Sequence, residues 1–206
     1  MEVYSYKDYN EYMSEQVKAN VRKLAFQYVD PVSMGYVIDH LVNVMKLKPK
    51  EALCHGTRRG IEQQIIIQAL KGHDIECNVT GTEISPTASD YPNTIQWDFH
   101  DVKEEWLGNI DLIYSNSFDH TYKPEECLDA WMSCLSESGV CILEYSEVCD
   151  TQCSVTDPFS ATMQEYIDMI EKKYRVVEVL NNNGMNDEGL THRGLREFIL
   201  IKNAKE

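Results

Sequence analysis

A strand, a tight turn and a helix can be recognised in residues 51–64, EALCHGTRRGIEQQ. An apolar run from Ala52 to Cys54 precedes Gly56 and Gly60, and an apolar helical pattern follows from Ile61 to Leu70. Glycine at such a turn lets the backbone come close to a ligand, and the start of the helix offers free N–H groups. The same glycines can equally serve packing, so the segment predicts the strand-to-helix unit and leaves the use of its turn open.

Strands and helices continue to alternate along the rest of the chain. The further predicted strands span residues 79–84, 94–97, 110–114, 140–143, 175–180 and 196–201. One helix is predicted to start at Pro124 and to end at Ser138-Gly139, and another is predicted over 161–172. The alternation predicts an α/β fold, with a mostly parallel sheet covered by helices on both faces. Ligands of such sheets bind beyond the carboxyl ends of the strands, so residues that follow strands are the candidate site.

The first 48 residues are predicted to form helices. One apolar stripe follows steps of three and four residues through Met13, Val17, Val21, Leu24 and Tyr28. Asp30-Pro31 interrupts it, and Ser33 is the predicted cap of a second helix with apolar residues over 37–45. No linker divides the chain, so we expect a single domain over residues 1–206. It would consist of a helical N-terminal lid segment, 1–48, and an α/β core, 49–206.

Charge and cysteine content narrow the functional classes. The formal net charge is −15, which repels a phosphate backbone, so we expect no nucleic-acid partner. No apolar run is long enough to span a bilayer, and the acidic, tyrosine-rich N-terminus lacks signal-peptide features, which predicts a cytoplasmic protein. The seven cysteines include no C-x-x-C pair, which favours reduced thiols and predicts no structural zinc. Nothing in the sequence points to a particular oligomeric state.

Two acids stand at predicted strand ends. Glu83 ends an apolar strand 23 residues after Gly60, where a carboxylate can accept hydrogen bonds from both hydroxyls of a ribose. Asp98 follows the next strand and precedes Phe99. Its carboxylate could accept from the exocyclic amine of adenine while the ring covers the base. Alternatively, Glu83 is an exposed strand-end acid and Asp98 a helix cap.

The next strand end carries candidates for chemistry. Ser115, Asn116 and Ser117 supply polar groups, and Asp119 and His120 follow them. An imidazole beside a carboxylate is typical equipment for taking a proton from a hydroxyl near neutral pH, although His120 could also hydrogen-bond only a loop.

Other polar groups are expected at the same edge of the sheet. The strand over 140–143 runs on to Glu144, which together with Asp119 could hold a divalent metal, but no ligand spacing supports that site and we predict none. The loop of the last hairpin carries His192 and Arg193. The tyrosines of the N-terminal segment could stack on a sugar or close a lid, or simply pack a terminal helix; they are Tyr4, Tyr6, Tyr9 and Tyr12.

From about residue 50 to 202, the chain resembles the class I S-adenosylmethionine-dependent methyltransferases. The likeness rests on the glycine turn, on Glu83, on Asp98-Phe99 and on the block from Asp111 to Leu143 with its LSESGVCILE ending. It implies a Rossmann-like, doubly wound, seven-stranded sheet whose last strand is antiparallel. It also implies S-adenosylmethionine as cofactor and S-adenosylhomocysteine as product.

The resemblance assigns roles to individual residues. It implies cofactor binding by His55, Gly56, Thr57, Arg58, Gly60, Glu83, Ile84, Asp98, Phe99, Ser115, Asn116 and Ser117. The catalytic residues follow instead from chemistry, because a hydroxyl acceptor needs a base: we predict His120 as that base and Asp119 as a residue that orients a base, acts as one or binds a neighbouring hydroxyl.

Two positions depart from the family pattern. Cys54 replaces the acid after the first strand, and Arg58 replaces the middle glycine of the turn. Arg58 could pair with the methionine carboxylate of the cofactor, in which case the missing acid is not needed. Alternatively, the two changes weaken or abolish cofactor binding.

A narrower resemblance concerns the strings CHGTRRG, GTEIS, NTIQWDFHD and YSNSFDHTY. They look like a methyltransferase domain that large algal viruses fuse to rhamnosyltransferases, which implies O-methylation of a glycan, at a rhamnose hydroxyl, in a host cytoplasm. Neither composition nor spacing indicates a sugar. The alternatives are another small acceptor, such as an amine or carboxylate, and a silent binding module. A nicotinamide-dependent oxidoreductase is a further alternative, but it would need G-x-G-x-x-G, which is absent.

Overall fold

The computed structural model describes residues 1–182 and 195–204, so His192 and Arg193 lie outside the described residues. The elements in chain order are β1 (Glu2–Val3), α1 (Tyr9–Arg22), α2 (Pro31–Asn43), β2 (Glu51–His55), α3 (Ile61–Lys71), β3 (Asn78–Glu83), β4 (Thr94–Gln96), β5 (Ile110–Ser115), α4 (Pro124–Cys134), β6 (Leu135–Tyr145), α5 (Glu147–Asp150), β7 (Phe159–Ser160), α6 (Met163–Ile170), β8 (Tyr174–Asn181) and β9 (Glu197–Asn203). Within the described residues, no helix has both the length and the apolar character needed to cross a membrane.

The main sheet has seven strands in the described part of the chain, in the order β4-β3-β2-β5-β6-β9-β8. Neighbouring strands are parallel from β4 through β6, and β9 is antiparallel to both β6 and β8. The predicted Rossmann-like α/β sheet, with its antiparallel last strand, is therefore confirmed. The chain order reverses between β2 and β5, and a cleft opens at the carboxyl ends of these strands, as expected for a doubly wound sheet.

Helices cover both faces of the sheet. Alternate residues along a strand face opposite sides, so Leu112 packs with α2 and α3, whereas Ile113 packs with α4 and α6. On the side of the sheet covered by α4 and α6, Trp131 of α4 is fully buried. It donates its indole N–H to the Phe99 carbonyl. This contact ties the helix layer to the loop that follows β4.

Helix α1 buries a different face from the predicted one. Met13 and Val21 of the predicted apolar stripe are exposed, and the helix ends at Arg22. The buried residues lie on another face at the same helical spacing: Tyr12, Gln16, Ala19 and Asn20. The predicted stripe was wrong because the buried face of α1 lines a polar cleft. Polar residues such as Gln16 and Asn20 are therefore buried along this helix, and hydrophobicity does not predict its buried face.

Two helix ends also differ from expectation. Asp30, not Ser33, caps α2: its carboxylate accepts from Val32 N and Ser33 N, and Pro31 takes the first helical position. Helix α4 ends at Cys134 rather than at Ser138-Gly139, and β6 begins at once with Leu135. At Gly139 a β-carbon would lie 2.8 Å from the Ile110 carbonyl oxygen, so this glycine allows the close approach of two strands.

The Asp30 cap gives a stability test. We expect Asp30→Ala to lower the free energy of unfolding by about 1 kcal/mol, because two N–H groups at the start of α2 lose their acceptor. Asp30→Asn keeps a side-chain oxygen and is the control, which should unfold close to the wild type. Urea unfolding followed by circular dichroism measures both. An Asp30→Ala protein as stable as Asp30→Asn would contradict the assignment of the cap.

Candidate functional site

The glycine turn after β2 is built from left-handed residues. Gly56, Arg58 and Gly60 have φ angles of 73°, 47° and 70°, a region that favours glycine. At Gly56 a β-carbon would also lie 2.7 Å from the Ser117 β-carbon, so this residue allows β2 and β5 to meet. Arg58 stands in a conformation that suits glycine better, which explains why a glycine is expected at its position.

Glu83 closes this turn. Its carboxylate accepts from the backbone N–H groups of Arg58 and Ser85, each at 3.0 Å. Thr82, one residue earlier, accepts through its carbonyl from Gly56 N and Thr57 N. Burial raises the pKa of Glu83, although the two backbone hydrogen bonds oppose that rise. The predicted strand-end acid therefore links the ends of β2 and β3, and is not a freely exposed group.

A cleft with two connected lobes lies over this edge of the sheet. The first lobe, about 490 Å³ counted out to open solvent, is lined at the strand ends by Gly56, Glu83, Ile84, Asp98, Phe99 and Ser117. The second lobe, about 930 Å³ on the same basis, is lined by Tyr28, Glu62, Asn116, Asp119 and residues of segment 148–157. Lys23, Arg58 and His120 line both lobes.

The first lobe combines two carboxylates with an apolar wall. Asp98 accepts from the Tyr9 hydroxyl at 2.8 Å and from His100, through both its ring and its backbone N–H. Burial acts to raise the pKa of Asp98, but the hydrogen bonds from His100 and Tyr9 outweigh it, and the pKa lies below its ordinary value. Phe99 is buried beside it. Asp98 thus caps a turn and also faces the cleft.

Buried polar atoms around the cleft lack partners among the described residues. They are Nε of Arg58, Nδ2 of Asn20, which lies beside Glu83, and Oε2 of Glu62 and Nδ2 of Asn116, whose side chains lie beside each other. Buried polar groups in proteins are nearly always hydrogen-bonded, and leaving one unpaired costs roughly 1–3 kcal/mol. The donors and acceptors that line both lobes therefore fit a polar ligand.

Arg58 places a cation between the two lobes. Its guanidinium lies over the Tyr28 ring, 5.1 Å from the centroid, and one N–H reaches the Phe26 carbonyl at 3.4 Å. Within the described residues, none of the ion pairs involves Arg58. A cation in that position can bind a ligand carboxylate.

The second lobe is predominantly polar. Burial raises the pKa of Glu62 to about 7, so this side chain can donate as well as accept hydrogen bonds near neutral pH. Asp119 is buried, and its burial together with the nearby charge of Asp157 raises its pKa. Lys23 supplies a cation 3.2 Å from Asp157.

His120 lies where the lobes join. Its Nδ1 is 2.8 Å from Oε1 of Gln16, and its Nε2 is 3.9 Å from Asp119 and 3.6 Å from Asp157. Burial lowers the pKa of His120 to about 4, so the ring is neutral near pH 7. A neutral imidazole at a polar lobe can accept a proton.

Asp119, His120 and Asp157 are also close enough to share a metal ion, since one ligand atom from each lies within 4.8 Å of the others. Lys23 already places its ammonium against Asp157, and we assign no metal to this cluster. Glu144, the other metal candidate, is buried and bonded to Tyr114 and Arg196, and it lines neither lobe.

Four of the predicted cofactor-binding residues line neither lobe. The ring of His55 stacks on Trp131, and burial lowers its pKa to about 3. Thr57 accepts from Gln63, and Ser115 donates to the His55 carbonyl. Gly60 begins α3. These residues shape the turn and the strand ends, whereas the other predicted residues reach the cleft.

The N-terminal tyrosines form an aromatic cluster, in which Tyr12 is buried while Tyr4 and Tyr9 remain exposed. Tyr12 is buried, its hydroxyl donates to the His120 carbonyl, and its ring lies 4.4 Å from that of Tyr122. Tyr4 and Tyr6 continue the cluster. Of these tyrosines, Tyr12 lines the first lobe.

Several cleft residues were missed from the sequence. They come from α1 and from segment 148–157, and they include Gln16, Asn20, Lys23 and Asp157. Gln16, Asn20 and Lys23 are spaced by four and three residues, which is the spacing of a helical face, so a polar stripe could have revealed them. No comparable pattern marks Asp157.

Comparison with known proteins supports the fold. No protein-family model matches the chain, and no curated protein matches it by sequence. Among solved structures, it is similar to Burkholderia thailandensis 1,6-didemethyltoxoflavin-N1-methyltransferase, with bound 1,6-didemethyltoxoflavin and S-adenosylhomocysteine. The TM-score is 0.69 and the identity 10%, over 98% of this chain and 92% of that chain.

Two further structures agree. The plantazolicin methyltransferase BpumL, in complex with a pentazolic desmethylPZN analog and S-adenosylhomocysteine, gives a TM-score of 0.62 at 15% identity, over 95% of this chain and 98% of that one. A putative S-adenosylmethionine-dependent methyltransferase from Listeria monocytogenes gives 0.56 at 13%, over 82% and 100%. The chain therefore has the Rossmann-like fold found in S-adenosylmethionine-dependent methyltransferases.

Proposed function

We propose that the protein is an S-adenosylmethionine-dependent O-methyltransferase whose acceptor is a sugar hydroxyl. The observation that carries the proposal is the first lobe, where Glu83 and Asp98 face one cavity together with Phe99. Two acids and an apolar ring at adjacent strand ends suit the ribose hydroxyls, the amine and the face of adenosine.

The residues around the first lobe fit the cofactor. Glu83 has lone pairs beyond its two backbone bonds, and Asn20 adds a buried amide beside it. Arg58, between the lobes, suits the methionine carboxylate. When bound, the cofactor supplies an electrophilic methyl group on a sulfonium, so the protein has mainly to align the acceptor and remove its proton.

The polarity of the second lobe supports a hydroxyl acceptor. It presents carboxyl, amide, hydroxyl and ammonium groups from Glu62, Asn116, Ser154, Asp157 and Lys23, which can hydrogen-bond to several hydroxyls of one sugar. The similar structures bind acceptors of other kinds, so the likeness of fold does not itself favour a sugar. Rhamnose of a glycan is the specific acceptor that we propose to test first.

His120 is the proposed base. Its neutral ring lies at the join of the lobes, where an acceptor hydroxyl in the second lobe would approach a ligand in the first. The nearby Asp157 can stabilise the imidazolium once a proton has been accepted. Asp119 is held at higher pKa by burial and is proposed to hydrogen-bond a neighbouring hydroxyl of the acceptor.

Cofactor binding is the first prediction. We expect calorimetry to show one S-adenosylhomocysteine bound per chain, and Glu83→Ala to weaken this binding at least about tenfold because the turn and the ribose lose their acceptor. Glu137→Gln, an exposed change at the opposite end of β6, should bind as the wild type does. NAD titrated in parallel should not bind. A wild-type protein that binds NAD and not S-adenosylhomocysteine would reject the proposal.

Arg58 gives a prediction that separates binding from strain. Both Arg58→Ala and Arg58→Gly should weaken S-adenosylhomocysteine binding, because each removes the cation. Arg58→Gly should be more stable than Arg58→Ala by about 1 kcal/mol, because glycine adopts a positive φ readily. Calorimetry and urea unfolding measure the two effects. Unchanged affinity in both variants would remove Arg58 from the cofactor site.

His120 gives the prediction on turnover. His120→Ala should bind S-adenosylhomocysteine normally but lose turnover about 100-fold or more, because the acceptor keeps its proton. His73→Ala, beyond the end of α3 and outside both lobes, is the matched control. The assay is release of S-adenosylhomocysteine with a panel of methyl glycosides that includes a rhamnoside. Near-normal turnover of His120→Ala would show that another group is the base, and a wild type that is inactive on every glycoside would reject the sugar acceptor.

A further inference from the structure

We propose that Gln16 is a positioning residue that fixes the tautomer of His120, so that the unprotonated Nε2 faces the second lobe. The inference rests on the proposed role of His120 as base. Gln16 belongs to α1, which is remote in sequence from the strand ends, and the residue is only 7% exposed.

The orientation of the Gln16 amide follows from its two partners. One end lies 3.2 Å from the carbonyl oxygen of Thr156. A carbonyl can only accept, so this end must be the NH2 group. The amide oxygen then points the other way, where it lies 2.8 Å from Nδ1 of His120. A flipped amide would place two oxygens against each other, and the Thr156 carbonyl therefore selects one orientation.

The tautomer of His120 follows in turn. An amide oxygen can only accept, so Nδ1 of the neutral ring must carry the hydrogen, and Nε2 must carry the lone pair. Nε2 lies 3.6 Å from Asp157 and 3.9 Å from Asp119, which is beyond ordinary hydrogen-bond length. The lone pair is thus left available to a hydroxyl in the lobe.

The charges that face His120 come from several elements. Lys23, beyond the end of α1, and Arg58, in the glycine turn, disfavour the imidazolium, whereas Asp157 and Glu83 favour it. Asp119 lies beside the ring. Because Lys23 contacts Asp157 directly, the acid is held in place to receive the new N–H.

In the proposed transfer, His120 takes the proton of the acceptor hydroxyl. The acceptor O–H bond breaks and its proton passes to Nε2, while the acceptor oxygen forms a bond to the methyl carbon. With the cofactor bound, cleavage of its carbon–sulfur bond would leave the electron pair on sulfur, so the positive charge would pass to the His120 imidazolium beside Asp157. A His120 ring protonated at Nε2 could not take this proton, which is why the tautomer matters.

Two substitutions separate this role from a merely structural one. Gln16→Met removes both hydrogen bonds, whereas Gln16→Glu keeps an oxygen acceptor for Nδ1 and loses the donor to Thr156. Nitrogen-15 NMR of the histidine rings, with His120→Ala to identify the His120 signals, reports the tautomer directly. Lys18→Met, on the exposed side of α1, is the control.

We expect the wild type and Gln16→Glu to show Nδ1–H for His120, and Gln16→Met to show a mixture of tautomers. Turnover of Gln16→Met should fall at least about tenfold, with S-adenosylhomocysteine affinity within about threefold of wild type. Gln16→Glu should keep most of its turnover, and the acid limb of its kcat profile should move to higher pH, because a carboxylate stabilises the imidazolium.

Three outcomes would overturn the proposal: Nε2–H in the wild type, equal loss of turnover in Gln16→Glu and Gln16→Met, or a Gln16→Met protein that keeps the wild-type tautomer and rate. If Gln16→Met fails to fold, the wild-type and Gln16→Glu spectra still decide. A wild type that turns over no acceptor would reject the proposed function, whereas the NMR result would still stand or fall by itself.

Discussion

The carboxylate of Glu83 holds the functional edge of the sheet together. It accepts from the N–H groups that follow β2 and β3, so the glycine turn and the next strand end take one fixed arrangement. Gly56 then fits against Ser117 on the other side, and the first lobe opens between them. The same carboxylate that shapes the turn also faces the cavity, so fold and proposed binding share one side chain.

The sheet was largely predictable from the sequence because its signals are local. Apolar runs that end in glycine or an acid mark buried parallel strands, and β2, β3 and β5 lie within about one residue of their predicted bounds. The prediction failed where the competing signal was tertiary. Helix α4 stops at Cys134 because β6 starts early beside Ile110. Ser33 was predicted as the cap of α2, but the helix begins at Pro31 and Asp30 caps it.

The site was predictable only in part. Glu83, Asp98 and His120 follow strands, so topology alone brought them to one edge. Gln16 lies on a polar stripe of α1 that could have been recognised from its helical spacing, whereas no local pattern marks Asp157. Helix α1 misled because its hydrophobic stripe faces solvent while its polar face is buried, and hydrophobic periodicity assumes the reverse. His55 shows the opposite error. It stands at the end of β2 and was predicted to bind the cofactor, but its ring packs on Trp131 in the core.

The N-terminal residues 1–23 pack against the loop before β7, residues 151–158, and the two segments are joined by several contacts. Strand β1 pairs with β7, Tyr6 bonds to Val155, and Lys23 contacts Asp157. Moving this loop into another protein of the same fold would therefore require the two segments to be moved together. Residues 146–160 transferred alone would lose their contacts with Tyr6, α1 and Lys23. The N-terminal helix of the recipient would not offer the same contacts.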